Sequence, residues 1–106
     1  MTDYYKVLRS FIRFQKSAGF KLVSASDGEE EIQNPSANEA SDWICGTDHG
    51  ALTFQKEGHF INAFAVLGNE AFETIADASW KKDCPEQILQ DFDDAWDAFT
   101  ERWEDL

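Results

Sequence analysis

The last part of the chain carries its most regular alternation of apolar and polar positions. Apolar side chains recur there at steps of three and four residues, at Ile88, Phe92, Trp96, Phe99, Trp103 and Leu106. This spacing predicts an amphipathic helix over 83–106, with Asp83 and Glu86 as a capping pair at its start. Burying each large side chain contributes roughly 1.5–3 kcal/mol, whereas each like-charged pair on the opposite face costs about 0.2–0.5 kcal/mol. The helix is therefore predicted to form despite its own charge repulsion.

A second amphipathic helix is predicted over residues 3–18. Its apolar side runs from Tyr4 to Ala18, and Gly19 is expected to end it. The other side is basic, with Lys6, Arg9, Arg13 and Lys16. This stripe has two interpretations: it contacts phosphate or an acidic partner, or it is a solvated face that partly offsets the acidic helix.

Shorter patterns follow in the middle of the chain. Residues 20–25 alternate between apolar and polar and predict a strand. Residues 26–36 contain Asp27-Gly28, three consecutive glutamates and Asn34-Pro35, which is typical of a loop. Ser36 and Glu39 form a capping box that predicts a short helix ending at Gly46.

Three strands joined by tight turns are predicted next. They cover 51–56, 59–67 and 72–80. The second of these is apolar on both faces, which is typical of a central strand covered on both sides, at least partly. Asn62 lies inside this strand and is expected to need a hydrogen-bond partner.

The length and composition favour one folded domain, residues 1–106. Nine Phe, four Trp and two Tyr supply enough apolar surface to exclude a disordered chain. The order of the predicted elements gives an α+β fold. An antiparallel sheet of three to four strands is expected to carry the N- and C-terminal amphipathic helices, together with one short helix.

The net charge of −12 is unevenly distributed. Residues 1–25 hold five Lys and Arg against one Asp, and residues 26–106 hold four against twenty acids. Such an acidic surface repels nucleic acids and anionic membranes, so we expect neither as a direct partner and favour a basic protein. The chain shows no apolar run of signal-peptide or bilayer-spanning length, which predicts a cytoplasmic location.

The candidates for catalytic or metal chemistry lie around one polar loop. Cys45, Asp48 and His49 have the residue types of a thiol nucleophile and its base, but Cys45 ends an apolar helix, where an inert thiol is common. The spacing of Cys45, His49, His59 and Cys84 matches no zinc pattern. We therefore expect no catalysis, no metal and no cofactor.

Several short segments resemble small uncharacterised proteins encoded by phages and plasmids. They are Gly19-Phe20, Ser26-Asp27-Gly28-Glu29-Glu30, Leu67-Gly68-Asn69-Glu70 and Glu73-Thr74-Ile75-Ala76-Asp77. The resemblance spans about half of the chain. It implies an accessory protein of a mobile element, and it assigns no functional residues.

The acidic side of the C-terminal helix is the predicted partner-binding surface. It carries Asp91, Asp93, Asp94, Asp97, Glu101, Glu104 and Asp105. Carboxylates in this arrangement can occupy a groove built for a phosphate backbone. Combined with the resemblance to phage and plasmid proteins, this suggests an inhibitor of a host nucleic-acid-binding defence protein, such as a restriction or CRISPR effector.

Two alternatives remain open. One is a small enzyme or ligand-binding domain that uses the loop with Cys45, Asp48 and His49. The other is a plain accessory protein that forms a homodimer through exposed aromatic residues such as Trp80 or Trp103, its acidic surface serving only solubility.

Overall fold

The computed structural model describes residues 3–68 and 70–104. Within these residues the chain forms three α-helices and five strands, in the order α1 Tyr4–Ser17, β1 Lys21–Ser26, β2 Glu31–Gln33, α2 Ala37–Cys45, β3 His49–Lys56, β4 His59–Val66, β5 Ile75–Trp80 and α3 Glu86–Glu104. The strands form one antiparallel sheet in the order β2-β1-β3-β4-β5. The α+β class is confirmed, and the predicted strand number of three to four is too low by at least one.

The additional strand, β2, lies where the sequence predicts only loop. The Asp27 side chain accepts hydrogen bonds from the backbone N–H groups of Glu29 and Glu30, at 2.9 and 2.7 Å, and so closes a tight turn after β1. This turn brings Ile32 opposite Ala25 on the free edge of β1. The turn therefore brings β2 into pairing with β1, although the sequence of β2 alone gives little indication of a strand.

The last strand begins later than predicted, at Ile75 rather than 72. A 3₁₀ turn over Ala71–Glu73 precedes it. A register shift then places Ile75 opposite Ala65 and Asp77 opposite Phe64. The regular pairing of residues 77–80 leaves Asp77 exposed on the side away from the helices, and the irregularity turns Ile75 to the buried side.

The helix ends follow local rules, with one exception. Ser36 and Glu39 form the predicted capping box of α2, because Ser36 Oγ accepts from the Glu39 N–H at 3.1 Å and Glu39 Oε1 accepts from the Ser36 N–H at 3.2 Å. The predicted pair of Asp83 and Glu86 is wrong, since α3 starts at Glu86 and Asp83 lies outside it. Pro85 precedes the first helical residue, and its carbonyl accepts the first hydrogen bonds of the helix.

The hydrophobic core lies between the helices and one face of the sheet, as predicted. Phe11 of α1 is fully buried at its centre. Its ring contacts Phe54 of β3 edge-on at 5.9 Å, and Phe92 and Phe99 of α3 at 6.1 and 5.2 Å. The two terminal helices and the sheet therefore share one aromatic cluster.

The opposite face of the sheet is not covered by any element among residues 3–68 and 70–104. We call it the open face. β4 is flanked by β3 and β5, so its predicted inner position is confirmed, but the expected cover on both sides is found on one side only. Asn62 has its predicted partner here, since the Thr53 hydroxyl donates to Asn62 Oδ1 at 2.6 Å.

Candidate partner-binding surface

Helix α3 separates its apolar and acidic residues on opposite sides. Its 19 residues give a rod of about 28 Å, and Ile88, Phe92, Ala95 and Phe99 are buried against the core. Five of the predicted carboxylates are exposed on the outer side and form what we call the acidic ridge, namely Asp93, Asp94, Asp97, Glu101 and Glu104. The structure thus brings five of the seven predicted residues together on one surface.

Asp91 lies apart from the ridge because it is half-buried and paired. Its carboxylate accepts from Lys56 Nζ and from Gln87 Nε2, both at 2.8 Å. The bond from Lys56, followed by that from Gln87, lowers the pKa of Asp91. Lys56 also donates to the Ala18 carbonyl at 2.7 Å, so Asp91 connects α3 to β3 and to the end of α1. Asp91 therefore makes contacts within the fold, and predicted Asp105 lies outside the described residues.

The ridge keeps its negative charge. In the described part of the chain the single ion pair is Lys56 with Asp91, so the cations Arg9, Arg13 and Lys16 of α1 do not pair with the ridge. Partial desolvation raises the pKa of Asp93, and the neighbouring carboxylates of Asp97 and Asp94 raise it further. A cationic partner bound to the ridge would reduce this repulsion between neighbouring carboxylates.

Two further contacts fix α3 on α1 at different points along its length. Gln15 Nε2, fully buried, donates to the Phe92 carbonyl at 3.1 Å. Near the end of the helix, the Trp103 indole donates to Ser10 Oγ at 3.0 Å. The ridge therefore stands on a helix that is held by polar contacts as well as by its apolar stripe.

The basic stripe of α1 lines a separate groove between α1 and α3. This groove has a volume of about 360 Å³, and its cationic residues are Lys6, Arg9, Arg13 and Arg102. The Arg9 guanidinium lies 5.5 Å from the centre of the Tyr5 ring. The helical layer thus presents acidic and basic strips side by side without an ion pair between them among the described residues.

The alternative site around Cys45 is only partly assembled. Cys45 and Asp48 line a shallow pocket with Tyr5 and Leu67, and His49 is exposed outside its lining. Burial raises the pKa of the Cys45 thiol, and the carboxylates of nearby aspartates raise it further. A nucleophilic cysteine needs the opposite shift, so this geometry gives the catalytic hypothesis no support.

Comparison with known proteins gives no match: no protein-family model, curated protein or solved structure matches the chain. None of the helices described in the structure is long and apolar enough to cross a membrane. The comparisons therefore assign no function to the chain.

Proposed function

We propose that this protein is a non-enzymatic binding module that presents the acidic ridge to a basic, nucleic-acid-binding protein. The observation that carries the proposal is the row of five exposed carboxylates on a helix whose other side is anchored in the core. A fixed helix loses little conformational freedom on binding, so most of the electrostatic attraction is available for affinity.

The average spacing of the ridge is similar to that of one nucleic-acid strand. Asp93 and Glu104 are separated by a helical rise of about 16 Å, and the five carboxylates lie at unequal intervals of about 1.5–6 Å that average about 4 Å along the axis. One strand of B-DNA carries a phosphate every 3.4 Å or so of axis. A groove in which Arg and Lys contact a single strand would therefore meet a similar linear charge density on this helix.

The resemblance to phage and plasmid proteins supplies a setting for this chemistry. An accessory protein of a mobile element gains by blocking a host defence protein that handles nucleic acid, such as a restriction or CRISPR effector. Occupation of the nucleic-acid groove by the ridge would make such an inhibitor compete directly with DNA or RNA. The association is expected to weaken steeply as salt screens the charges.

The test is capture of partners by the immobilised protein from a host lysate at low and high salt. Captured proteins are identified by mass spectrometry and then challenged with a DNA or RNA oligonucleotide. One variant neutralises the ridge by Asp93→Asn, Asp94→Asn, Asp97→Asn and Glu101→Gln. The matched control removes the same number of charges from exposed sites elsewhere, by Glu29→Gln, Glu30→Gln, Glu57→Gln and Glu73→Gln.

The proposal expects basic partners that the wild type and the control retain, that the ridge variant loses, and that the oligonucleotide displaces. Unchanged capture by the ridge variant would show that the ridge is not the binding surface. Capture that the oligonucleotide leaves intact would exclude nucleic-acid mimicry, even where the ridge is needed for binding.

A further inference from the structure

The open face of the sheet bears an apolar patch on a highly charged protein. Phe60, Phe64 and Val66 of β4 point to this face, and they are 45, 39 and 42% exposed. They stand side by side at every second or fourth residue of one strand, with Ala51 of β3 opposite Phe64. Exposed apolar side chains grouped on one face in this way are typical of an interaction surface.

The open face is also nearly free of charge. By strand register, its charged residues are Lys21, Glu31 and Asp77, which leave a net charge of −1 on a chain of net charge −12. A basic partner would find few carboxylates here. A second copy of the chain, by contrast, meets little like-charge repulsion on this face.

The polar side chains at the centre of the face can be satisfied in an interface that excludes water. The Thr53 hydroxyl already donates to Asn62 Oδ1, which satisfies the two groups against each other. Among the described residues no acceptor contacts the Asn62 N–H₂ group, so these donors remain available to an oxygen on a facing molecule. The equivalent Asn62 of a second copy, placed near a two-fold axis, offers such an oxygen.

We propose that two copies of this chain form a two-fold dimer by packing their open faces together, with both α3 helices on the outside. Sheets pack in this way about 10 Å apart. The five strands contain 31 residues, each of which covers about 3.4 Å along the strand and about 4.8 Å across it, so each face offers on the order of 500 Å² before side-chain relief. Two such faces reach the about 1,000 Å² that a specific interface needs.

Sedimentation equilibrium of the full chain over a concentration series tests the dimer. The wild type is expected at twice the chain mass of 12.1 kDa. Phe64→Asp places like charges against each other across the axis and is expected to give monomers with an unchanged far-UV circular dichroism spectrum. Val66→Glu repeats the test at a second exposed position, in case Phe64→Asp disturbs the fold.

Trp80→Gln is the matched control, because Trp80 is 51% exposed but lies on the helix side of the sheet edge, opposite Ile61. It is expected to remain dimeric. A monomeric wild type, dimeric variants at both Phe64 and Val66, or a monomeric Trp80→Gln would each overturn the proposal. The dimer does not depend on the acidic ridge, so the ridge-neutralised variant is expected to remain dimeric whatever its partner binding.

Discussion

Replacing Asp97 by Asn is expected to make the protein more stable. Asp97 is exposed in the middle of α3. It stands four residues from Asp93 and Glu101 and three from Asp94, so it takes part in three like-charged pairs on the helix surface. Asparagine and aspartate have similar helix propensities, so the substitution changes mainly the charge.

The size of the effect follows from these three pairs. Each like-charged pair at this spacing costs about 0.2–0.5 kcal/mol, so Asp97→Asn is expected to raise the free energy of unfolding by about 0.6–1.5 kcal/mol at low salt. The gain should shrink in high salt, because exposed charges are screened. The same substitution is expected to weaken partner capture. Asp97 would then lower the stability of the fold while contributing to binding.

Urea denaturation at low and high salt measures the effect. Glu57→Gln is the control, since it removes one exposed charge from a turn without relieving any pair on α3. The reasoning is refuted if Asp97→Asn is no more stable than wild type at low salt, or if its gain persists in full at high salt. An equal gain from Glu57→Gln would trace the effect to net charge instead of to the ridge.

Three further outcomes are expected. Phe11→Ala should lower the free energy of unfolding, measured in urea, by about 3–5 kcal/mol, because it empties the centre of the aromatic cluster. Phe11→Leu should lower it clearly less, and equal losses from the two substitutions would contradict this explanation. Asp91→Asn should lower the melting temperature at neutral pH. Since Lys56 lowers the folded-state pKa of Asp91, the difference from wild type should be full above the usual pKa of an aspartate and vanish as pH falls through the lowered pKa; a difference that does not change with pH would contradict this assignment. Cys45 should react with iodoacetamide at neutral pH more slowly in the native protein than in urea, because its raised pKa keeps the thiol protonated, and faster native labelling would revive the catalytic alternative.

The helices were predictable because their signals are local. The three-and-four spacing of α3 and the capping box at Ser36 each lie within one or a few turns of the chain. The short strand β2 was not predictable, since Glu31–Gln33 has only three residues and one apolar position, too few to distinguish a strand from a loop. It pairs with β1 because the Asp27 turn returns the chain to that strand. The start of β5 was missed for a related reason, because a 3₁₀ turn and a register shift break the alternation.

The candidate site was predictable as a face but not residue by residue. Helical periodicity places Asp91 close to the other acids, and only tertiary contact with Lys56, 35 residues away, separates it from them. No local sequence pattern predicts the pairing of Asp91 with Lys56. The open face was hidden similarly, because an all-apolar strand predicts a central position without saying whether anything covers its second side.

The polar contacts along α3 have a consequence for selectivity. They join Lys56 to Asp91, Gln15 to the main chain of Phe92, and Trp103 to Ser10. All five carboxylates of the ridge stand within or just beyond this stretch, so they cannot be respaced without breaking a bond to the body of the protein. Under the proposed function, we therefore expect a cationic groove with matching intervals to bind this helix more tightly than a groove with a different pitch.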